Sequence, residues 1–565
     1  MTTNISKIKR EQLAEKISVL RGYIERCPQD ENTENLLQYI SEIEKDIKGK
    51  KYGLVFEEHR EALDETLETH LPVLTEEESL LIDNGGQMNF LIEGDNLASL
   101  KLLEKTHAGK VDVIYIDPPY NTGAKDWKYN NDYVDGNDTF RHSKWLSMMN
   151  PRLNIAKQLL TDRGILVCAI DHYELSTICM LLDGIFGEEN RLGIVSVVHK
   201  PEGRNQEKFF ATSNEFALFY AKDIKRCSFQ KVILTEEKQS EFSMQDAIGR
   251  YKLEPLIAKN HGRGGDDKNL RINRPHKYYP IYVTQDGEIS LDESDNCTAI
   301  YPKSQSTERT WKYTKEIMLS KIASGEIVAQ ASSKTYKLYE KYRESKGELI
   351  KTHWIKKEYN ANFGGTKVLN EILGSVGGFD FPKSLYLIED TLKITSRKNS
   401  TIVDFFAGSG TTGHAVLKLN KEDRGQRKFI LCTNNENGIC RNVTYERIKR
   451  VIEKENYEAS LKYMRVDYVP ISEQVYYEYA DELLSHVREL VELENGINFR
   501  GNSEIAIVLT DEELSAFVSS DAVQGCKTLY LGHDVAPDDE AIETLSRHGV
   551  KVNIIPEYYY SEMEG

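Results

Sequence analysis

Two short segments far apart in the chain carry the side chains best suited to chemistry. The first, Asp117-Pro118-Pro119-Tyr120, follows an apolar, β-branched run at residues 111–116. Such a run is typical of a buried strand, and two prolines cannot continue a strand's hydrogen bonding. Asp117 is therefore predicted at the carboxyl end of a strand, where open α/β sheets bind their ligands.

The proline turn fixes the direction of the Asp117 carboxylate and of the neighbouring carbonyls, which suits an amino group. The exocyclic amine of a nucleobase is a poor nucleophile because its lone pair is delocalised into the ring, and hydrogen bonds to a carboxylate and a carbonyl favour a tetrahedral, reactive nitrogen. A base must also leave its duplex to be reached, and Tyr120 offers a ring on which it can stack. The segment predicts transfer to a base amine, with Asp117, Pro118, Pro119 and Tyr120 as the catalytic residues. The alternative is a strand that merely ends in a proline turn.

The second segment has the features of a cofactor loop. Residues 401–406 are predicted as a strand, and Gly408, Gly410 and Gly413 form a tight turn, before a helix, where backbone can approach a ligand. Glu436, after the next apolar run, could bind ribose hydroxyls. The glycine spacing also fits a nicotinamide dinucleotide, so this loop alone does not identify the cofactor. The Asp117 segment favours S-adenosylmethionine, since a hydride-transfer enzyme has no use for a rigid carboxylate and an aromatic ring at a second strand end.

In their order and surroundings, these segments resemble the permuted class of DNA amino-methyltransferases, in which the catalytic segment precedes the cofactor loop. The chain is similar in particular to the modification subunits of type III restriction systems, over about residues 50–455. Besides the two main segments, the matching residues are Lys51–Glu57, Glu93–Leu97, Asn121–Gly123, Trp145–Met149, Pro151–Leu153, Ile170–Asp171, Phe381–Lys383 and Arg447–Ile448.

The resemblance implies an α/β fold with a Rossmann-like, S-adenosylmethionine-dependent methyltransferase core. It implies that Asp95 contacts the cofactor's adenine, that residues 381–383 line its methionine end, and that the glycine loop contacts the rest. The implied cofactor-binding residues are Asp95, Phe381, Pro382, Lys383, Asp404, Phe406, Ala407, Gly408, Ser409, Gly410, Thr411 and Glu436. One position departs from the family: members often have His before the Glu at position 215, where this chain has Asn214. No base-binding role is assigned there.

Adenine is the expected target base, because family members that act on cytosine's amine more often carry Ser at the position of Asp117. Carbon-5 methylation of cytosine requires a thiolate after a proline, and the sequence contains no Pro-Cys pair. The alternatives are an N4-cytosine or RNA amino-methyltransferase, and a non-enzymatic DNA-binding subunit. The chain lacks a Gly-x-x-x-x-Gly-Lys-[Ser/Thr] phosphate loop, so a separate restriction subunit would have to supply ATP-driven cleavage.

Composition and charge add an expected partner and an expected compartment. Eight cysteines without a Cys-x-x-Cys pair, no signal peptide and no long apolar run predict a reduced, cytosolic (prokaryotic) protein without bound metal. The net charge is −17, yet residues 191–360 hold 30 Lys and Arg against 23 Asp and Glu. Aromatic residues interleave with this basic region, which is typical of a surface that binds double-stranded DNA. The candidate DNA-binding residues are Arg271, Arg274, Lys277, Arg309 and Lys312; the alternative is an ordinary lysine-rich surface.

Five regions are expected. Residues 1–60 form a helical hairpin with apolar positions at helical spacing (Leu13, Ile17, Leu20 and Ile24, then Leu36, Ile40, Ile43 and Ile47) around a turn at residues 27–30. Residues 61–224 and 366–465 form the catalytic and cofactor-loop halves of the core, and residues 225–365 form an inserted target-recognition domain. Residues 466–565, with 5 Lys and Arg against 21 Asp and Glu, form a small α/β domain. This acidic domain is expected to contact a protein, and the resemblance favours a homodimer.

Overall fold

A computed structural model of the chain describes residues 16–26, 33–48, 56, 59–129, 132–203, 209–230, 240–258, 269–304, 307–332, 335–344, 350–374, 379, 381–470, 486–499, 502–532 and 535–555. They form two compact units: residues 1–228 with 352–565, and residues 229–351. Within the described part, none of the helices has the length and apolar character needed to cross a bilayer.

The part of the first unit that precedes residue 229 contains helices and most of the central strands. The strands before residue 229 are β1 (His70–Glu76), β2 (Gln87–Glu93), β3 (Val111–Ile116), β4 (Ala124–Tyr129), β5 (Asp132–Asp135), β6 (Leu160–Ile170), β7 (Arg191–Val198) and β8 (Asn214–Ala221). The helices there are α1 (Thr33–Lys48), α2 (Ala62–Thr69), α3 (Asn96–His107), α4 (Arg141–Leu159) and α5 (Leu175–Phe186).

The second unit is mainly β-structure. It contains β9 (Met244–Asp246), β10 (Gly249–Pro255), β11 (Ile281–Val283), β12 (Ile289–Ser290), β13 (Thr298–Ile300), β14 (Lys303–Ser304), β15 (Thr307–Glu308), α6 (Lys315–Ala323), β16 (Ile327–Ser332) and β17 (Thr335–Arg343). One sheet has the order β16-β17-β10-β9 and another β12-β11-β13. The buried side chains of Leu256, Ile281, Trp311 and Met318 form its core. The unit lies inside the range predicted for target recognition, residues 225–365.

The chain then returns to the first unit. The strands are β18 (His353–Trp354), β19 (Thr401–Asp404), β20 (Lys428–Thr433), β21 (Ala459–Pro470), β22 (Ile505–Val508), β23 (Thr528–Leu531) and β24 (Lys551–Ile554). The helices are α7 (Lys367–Leu373), α8 (Leu385–Thr395), α9 (Thr411–Asp423), α10 (Glu446–Glu455), α11 (Val487–Asn495), α12 (Asp511–Val518), α13 (Ala522–Gly525) and α14 (Asp539–His548).

A ten-stranded sheet organises the first unit, with the order β1-β21-β2-β20-β19-β3-β6-β8-β7-β18. The strands from β21 to β6 run parallel, whereas β8 runs antiparallel to both β6 and β7. The carboxyl ends of β2, β19, β20, β3 and β6 therefore meet at one edge, together with the amino end of β8. That edge lies at the crevice where ligands bind in open α/β sheets.

Helices cover both faces of this sheet. Helices α3, α4 and α5 pack side by side, and α8, α9 and α10 form a second group. In β3, Val113 and Tyr115 point to one face while Ile114 and Ile116 point to the other, and all four are buried. A strand that is buried on both sides explains the nearly continuous apolar run in the sequence. The expected methyltransferase-like α/β core is confirmed.

The acidic end of the chain, expected as a small α/β domain, contains a parallel sheet with the order β22-β23-β24. Lys462, fully buried in β21, forms ion pairs with Glu76 (3.1 Å) and with Glu492 of α11 (2.7 Å). Helix α11 is therefore fixed to the central sheet. Strand β21 itself continues to Pro470, past the boundary expected at residue 465.

The helical hairpin expected at residues 1–60 is described only in part. Residues 16–24 and α1 are helical, and Arg21 donates a hydrogen bond to Ser41 across the pair (2.9 Å). Ile17 and Ile40 are buried, whereas Leu20, Leu36 and Ile43 are about half exposed. Leu13 and the expected turn at residues 27–30 lie outside the described residues.

Candidate active site

Four polar side chains converge at the carboxyl edge of the sheet. Tyr120 donates a hydrogen bond to Glu215 Oε2 (3.0 Å) and accepts one from Lys383. Lys383 Nζ lies 2.7 Å from Glu215 Oε2 and 3.2 Å from Asp117 Oδ1. The ammonium also stands 4.7 Å from the centre of the Tyr120 ring. The structure thus brings together the predicted residues Asp117, Tyr120 and Lys383, and it adds Glu215.

The charges in this cluster depend on one another. Burial raises the pKa of Asp117, although the nearby Lys383 ammonium opposes the rise. Burial acts in the same direction on Glu215, but Lys383 and His199 outweigh it and leave the pKa of Glu215 below its usual value. Burial alone would lower the pKa of Lys383, yet Asp117 and Glu215 raise it, so the side chain stays an ammonium. Among the described residues, Asp117 Oδ1 is buried and accepts no hydrogen bond of normal geometry, and the Lys383 ammonium at 3.2 Å is its ion-pair partner.

Neighbouring side chains fix the turn that carries Asp117 and Tyr120. Trp145 of α4, which is fully buried, donates an indole hydrogen bond to the carbonyl of Pro119 (2.7 Å). Asn121 adopts a left-handed backbone conformation (φ 54°) and donates to the buried Glu174 carboxylate (2.5 Å). His142 Nδ1 lies 2.6 Å from the same carboxylate oxygen. The turn is therefore bonded to α4 and to the residue before α5, which limits movement of the Asp117 carboxylate.

Lys383 is placed by a close backbone contact. A Cβ atom on Gly365 would lie 2.1 Å from the carbonyl oxygen of Pro382, so only glycine allows the segment 361–366 to pack there. Ser384 caps α8 by accepting the Leu387 N–H (3.4 Å) and donates to the Glu358 carbonyl (2.7 Å). Pro382 is buried, whereas the Phe381 side chain is 86% exposed in a left-handed backbone conformation.

The predicted cofactor loop joins β19 to α9. Gly408 and Gly410 have φ values of 48° and 73°, and Gly410 is the residue before the first turn of α9. Asp404 accepts hydrogen bonds from the Phe406 N–H (3.0 Å) and from Thr412 Oγ1 (2.5 Å). Burial raises the pKa of Asp404 to about 7, although these hydrogen bonds oppose it. Asp404 therefore organises the loop from within. Of the other predicted residues, Ala407, Ser409 and Thr411 are buried and Phe406 is half-buried.

Arg447 supports the same loop from α10. Its fully buried guanidinium donates to the Ser409 carbonyl (3.2 Å), to Ser409 Oγ (3.2 Å) and to Thr411 Oγ1 (2.7 Å). Burial lowers the pKa of Arg447 to about 9. A buried guanidinium that donates several hydrogen bonds to one turn fixes the shape of that turn. Here the turn is the backbone that would face a cofactor.

Two further predicted cofactor residues lie at the same sheet edge. Asp95 follows β2 and caps α3 by accepting the Leu97 N–H (2.7 Å), and it forms an ion pair with the buried Arg152 (3.3 Å). Its side chain is still 39% exposed, so it can accept from a ligand as well. Glu436 follows β20 in a short turn and is exposed.

The five candidate DNA-binding residues belong to the second unit, and they differ in exposure and in their bonding partners. Arg271 is 53% exposed, lies 4.4 Å from the centre of the Tyr278 ring and forms an ion pair with Glu308 (2.9 Å). Arg274 and Arg309 are half-buried. Lys277 donates to the Lys312 carbonyl (3.0 Å), and Lys312 Nζ lies 3.1 Å from Glu254. The two lysines are engaged within the unit, which leaves the three arginines as the better candidates.

Glu215 and Arg447 contact predicted site residues, although the sequence assigned no role to either. Glu215 is the second residue of β8 and a single acid before an apolar run, and Arg447 is a single cation on the buried face of α10. A charged residue at a position that periodicity marks as buried is the signal that could have identified both.

Comparison with known proteins places the chain beside DNA-modifying enzymes. Residues 111–444 match the family described as DNA methylase. The chain is 34% identical to the type II methyltransferase M.KpnI of Klebsiella pneumoniae, over 60% of this chain and 79% of the relative. It is 30% identical to the EcoPI Mod subunit of Escherichia phage P1 and to the StyLTI Mod subunit of Salmonella typhimurium, both named as type III restriction-modification enzymes. These alignments cover 63% and 66% of this chain but only 58% and 57% of the two relatives.

Solved structures give weaker similarities. The M1.HpyAVI–SAM complex aligns with 65% of this chain and 99% of its own at 14% identity, with a TM-score of 0.29. A DNA modification methylase from Thermus thermophilus, complexed with S-adenosyl-L-methionine, aligns with 66% of this chain and 99% of its own at 13% identity, with a TM-score of 0.31.

Proposed function

Because this chain belongs to the DNA methylase family, we propose that it transfers a methyl group from S-adenosylmethionine to the exocyclic N6 amine of adenine in DNA. The observation that carries the proposal is the cluster of Asp117, Tyr120, Glu215 and Lys383, since it combines a carboxylate with an aromatic face. S-adenosylmethionine supplies the electrophilic methyl group when bound, and the residues of the chain orient the amine.

The carboxylate of Asp117 accepts one N–H of the amine, and a backbone carbonyl accepts the other. Trp145 already occupies the carbonyl of Pro119, whereas among the described residues no donor reaches the carbonyl of Pro118. We assign Pro118 as the second acceptor. Two acceptors in a rigid turn pull the nitrogen out of the plane of the base and expose its lone pair.

The Tyr120 ring is the platform for the extruded base. In the structure the Lys383 ammonium stands over that ring, so an entering base has to displace it. Glu215 remains as the partner that anchors Lys383 and the Tyr120 hydroxyl at the side of the pocket. On this proposal Lys383 and Glu215 are positioning residues that set the charge around Asp117.

The cofactor is assigned to the loop between β19 and α9, with Asp95 and Glu436 as acceptors for its adenosine. These residues fit it because the loop places backbone rather than side chains at the carboxyl edge. M.KpnI is named as a methyltransferase, and the two Mod subunits extend the proposal to a restriction-modification system. A homodimer and a separate restriction subunit remain the proposed partners.

The test compares methyl transfer with cofactor binding. Incubation with labelled S-adenosylmethionine and duplex DNA is expected to yield N6-methyladenine on nucleoside analysis. Asp117→Ala is expected to abolish transfer and to leave calorimetric cofactor affinity nearly unchanged, because the carboxylate contacts the amine and not the cofactor. Equal loss of both would refute the assignment of Asp117. Label in RNA, or N4-methylcytosine in DNA, would replace the proposed substrate by the alternative one.

A further inference from the structure

Two adjacent phenylalanines lie exposed on the first unit. The side chains of Phe209 and Phe210 are 84% and 86% exposed. Burying one such ring is worth about 1.5–3 kcal/mol, so two neighbouring rings this exposed to water are typical of a surface that binds a partner. No part of the chemistry assigned above uses them.

The two rings lie between β7 and β8, where the described residues 199–203 and 209–213 form the two arms of a hairpin. The pairing Val198↔Asn214 continues outward, because the Lys200 N–H donates to the Ser213 carbonyl (3.1 Å). A Cβ atom on Gly203 would lie only 2.5 Å from the Cβ of Ala211. The two arms of the hairpin are therefore still in contact at the residue that follows Phe210.

This hairpin rises from the edge of the sheet that carries the active site. Strand β7 ends at that edge and β8 starts there, since β8 is antiparallel to both of its neighbours. The second residue of β8 is Glu215, which is bonded to Tyr120. Phe210 precedes Glu215 by five residues, so its Cα lies within about 18 Å of the Cα of Glu215, the residue bonded to Tyr120.

We propose that Phe209 and Phe210 form a wedge that enters the DNA duplex at the target base pair and stacks on the bases exposed when adenine leaves. This inference rests on the proposed function. Extrusion of a base costs stacking and pairing energy, and apolar side chains inserted between base steps recover part of it. Uncharged aromatic rings stack on any base, so the wedge does not depend on the recognition sequence. The exposed Lys200 at the foot of the hairpin is suited to a phosphate.

The test uses the double variant Phe209→Ala/Phe210→Ala and two duplexes that differ only at the base opposite the target adenine. One duplex is fully paired, and the other has an abasic site there, so that extrusion costs less. Single-turnover methyl transfer on the paired duplex is expected to slow about tenfold or more, given 1–3 kcal/mol of stacking per base. On the abasic duplex the rate should stay close to that of the unaltered protein, and S-adenosylmethionine affinity should not change. The matched control is Ile542→Ala, an exposed apolar residue on α14 that should affect neither duplex.

Equal slowing on both duplexes would overturn the wedge, because a general structural defect does not depend on the opposite base. Unchanged rates on both would overturn it as well, and would assign the two rings to a protein contact instead. If the unaltered protein transfers no methyl group to either duplex, the proposed function fails and the wedge fails with it. A loss confined to the paired duplex supports both.

Discussion

At the residue scale, the chemistry depends on the charge of one carboxylate. Asp117 accepts an N–H most strongly when it is ionised, and burial raises its pKa, so kcat/KM should fall as the pH drops through that raised value. Lys383 lowers this pKa and Glu215 raises it. The pH at which the acidic limb of the kcat/KM profile lies therefore reports how Lys383 and Glu215 shift the pKa of Asp117.

Two substitutions should move that limb in opposite directions. Lys383→Met removes the cation, which raises the pKa of Asp117 further and shifts the limb to higher pH. Glu215→Gln removes an anion, which lowers the pKa and shifts the limb to lower pH. The measurement is kcat/KM against pH with S-adenosylmethionine saturating, so that a change in cofactor affinity does not enter. Shifts of the same sign in both variants would mean that another group titrates.

The sequence identified Asp117, Tyr120 and Lys383 but not their arrangement. Motif and resemblance assigned Lys383 to the cofactor, whereas its side chain contacts Asp117, Tyr120 and Glu215. These contacts join residues from the turn after β3, from β8 and from the loop before α8. Pairings of this kind depend on tertiary packing, and a local pattern does not encode them.

At the scale of elements, Arg447 of α10 fixes the shape of the predicted cofactor loop. Arg447→Met should leave the buried groups of Ser409 and Thr411 without donors, which lowers the free energy of unfolding by about 1–3 kcal/mol and weakens S-adenosylmethionine binding. Arg450→Met on the same helix is the matched control. It forms a partly exposed ion pair with Glu446 (3.0 Å) and donates to the Leu373 carbonyl (3.0 Å), so its loss should cost about 1 kcal/mol and leave cofactor affinity unchanged.

Urea unfolding and calorimetry with S-adenosylmethionine measure the two effects. An Arg447→Met protein with unchanged stability and unchanged cofactor affinity would show that the turn keeps its shape without the guanidinium.

The elements of the core follow from local pattern. The apolar run before Asp117 forms a strand that ends where it was predicted, because it is buried on two faces. The strand predicted at residues 401–406 ends two residues early, at Asp404, and the glycines that follow adopt the positive φ values that the turn requires. The antiparallel placement of β8, which brings Glu215 to the edge, does not follow from local pattern. The direction of β8 depends on how it pairs with its two neighbours in the sheet.

At the scale of the whole molecule, charge is unevenly distributed along the chain: residues 191–360 are net basic and residues 466–565 are net acidic. Arg271→Ala/Arg274→Ala should weaken DNA binding and reduce the dependence of the logarithm of affinity on the logarithm of salt concentration by about 1 per lost phosphate contact. Lys312→Met is the control, because that lysine pairs with Glu254 and Glu340 inside the second unit. It should lower stability and leave the salt dependence unchanged. An unaltered slope in the arginine variant would remove this patch from the DNA interface.

The measurement that tests the central claim most directly is modified-base sequencing of DNA from cells that express the chain, beside cells that express Asp117→Ala. The account predicts N6-methyladenine at one recurring sequence with the unaltered chain and none with the variant. N4-methylcytosine at the recurring site, or identical methylation in both cultures, would contradict it.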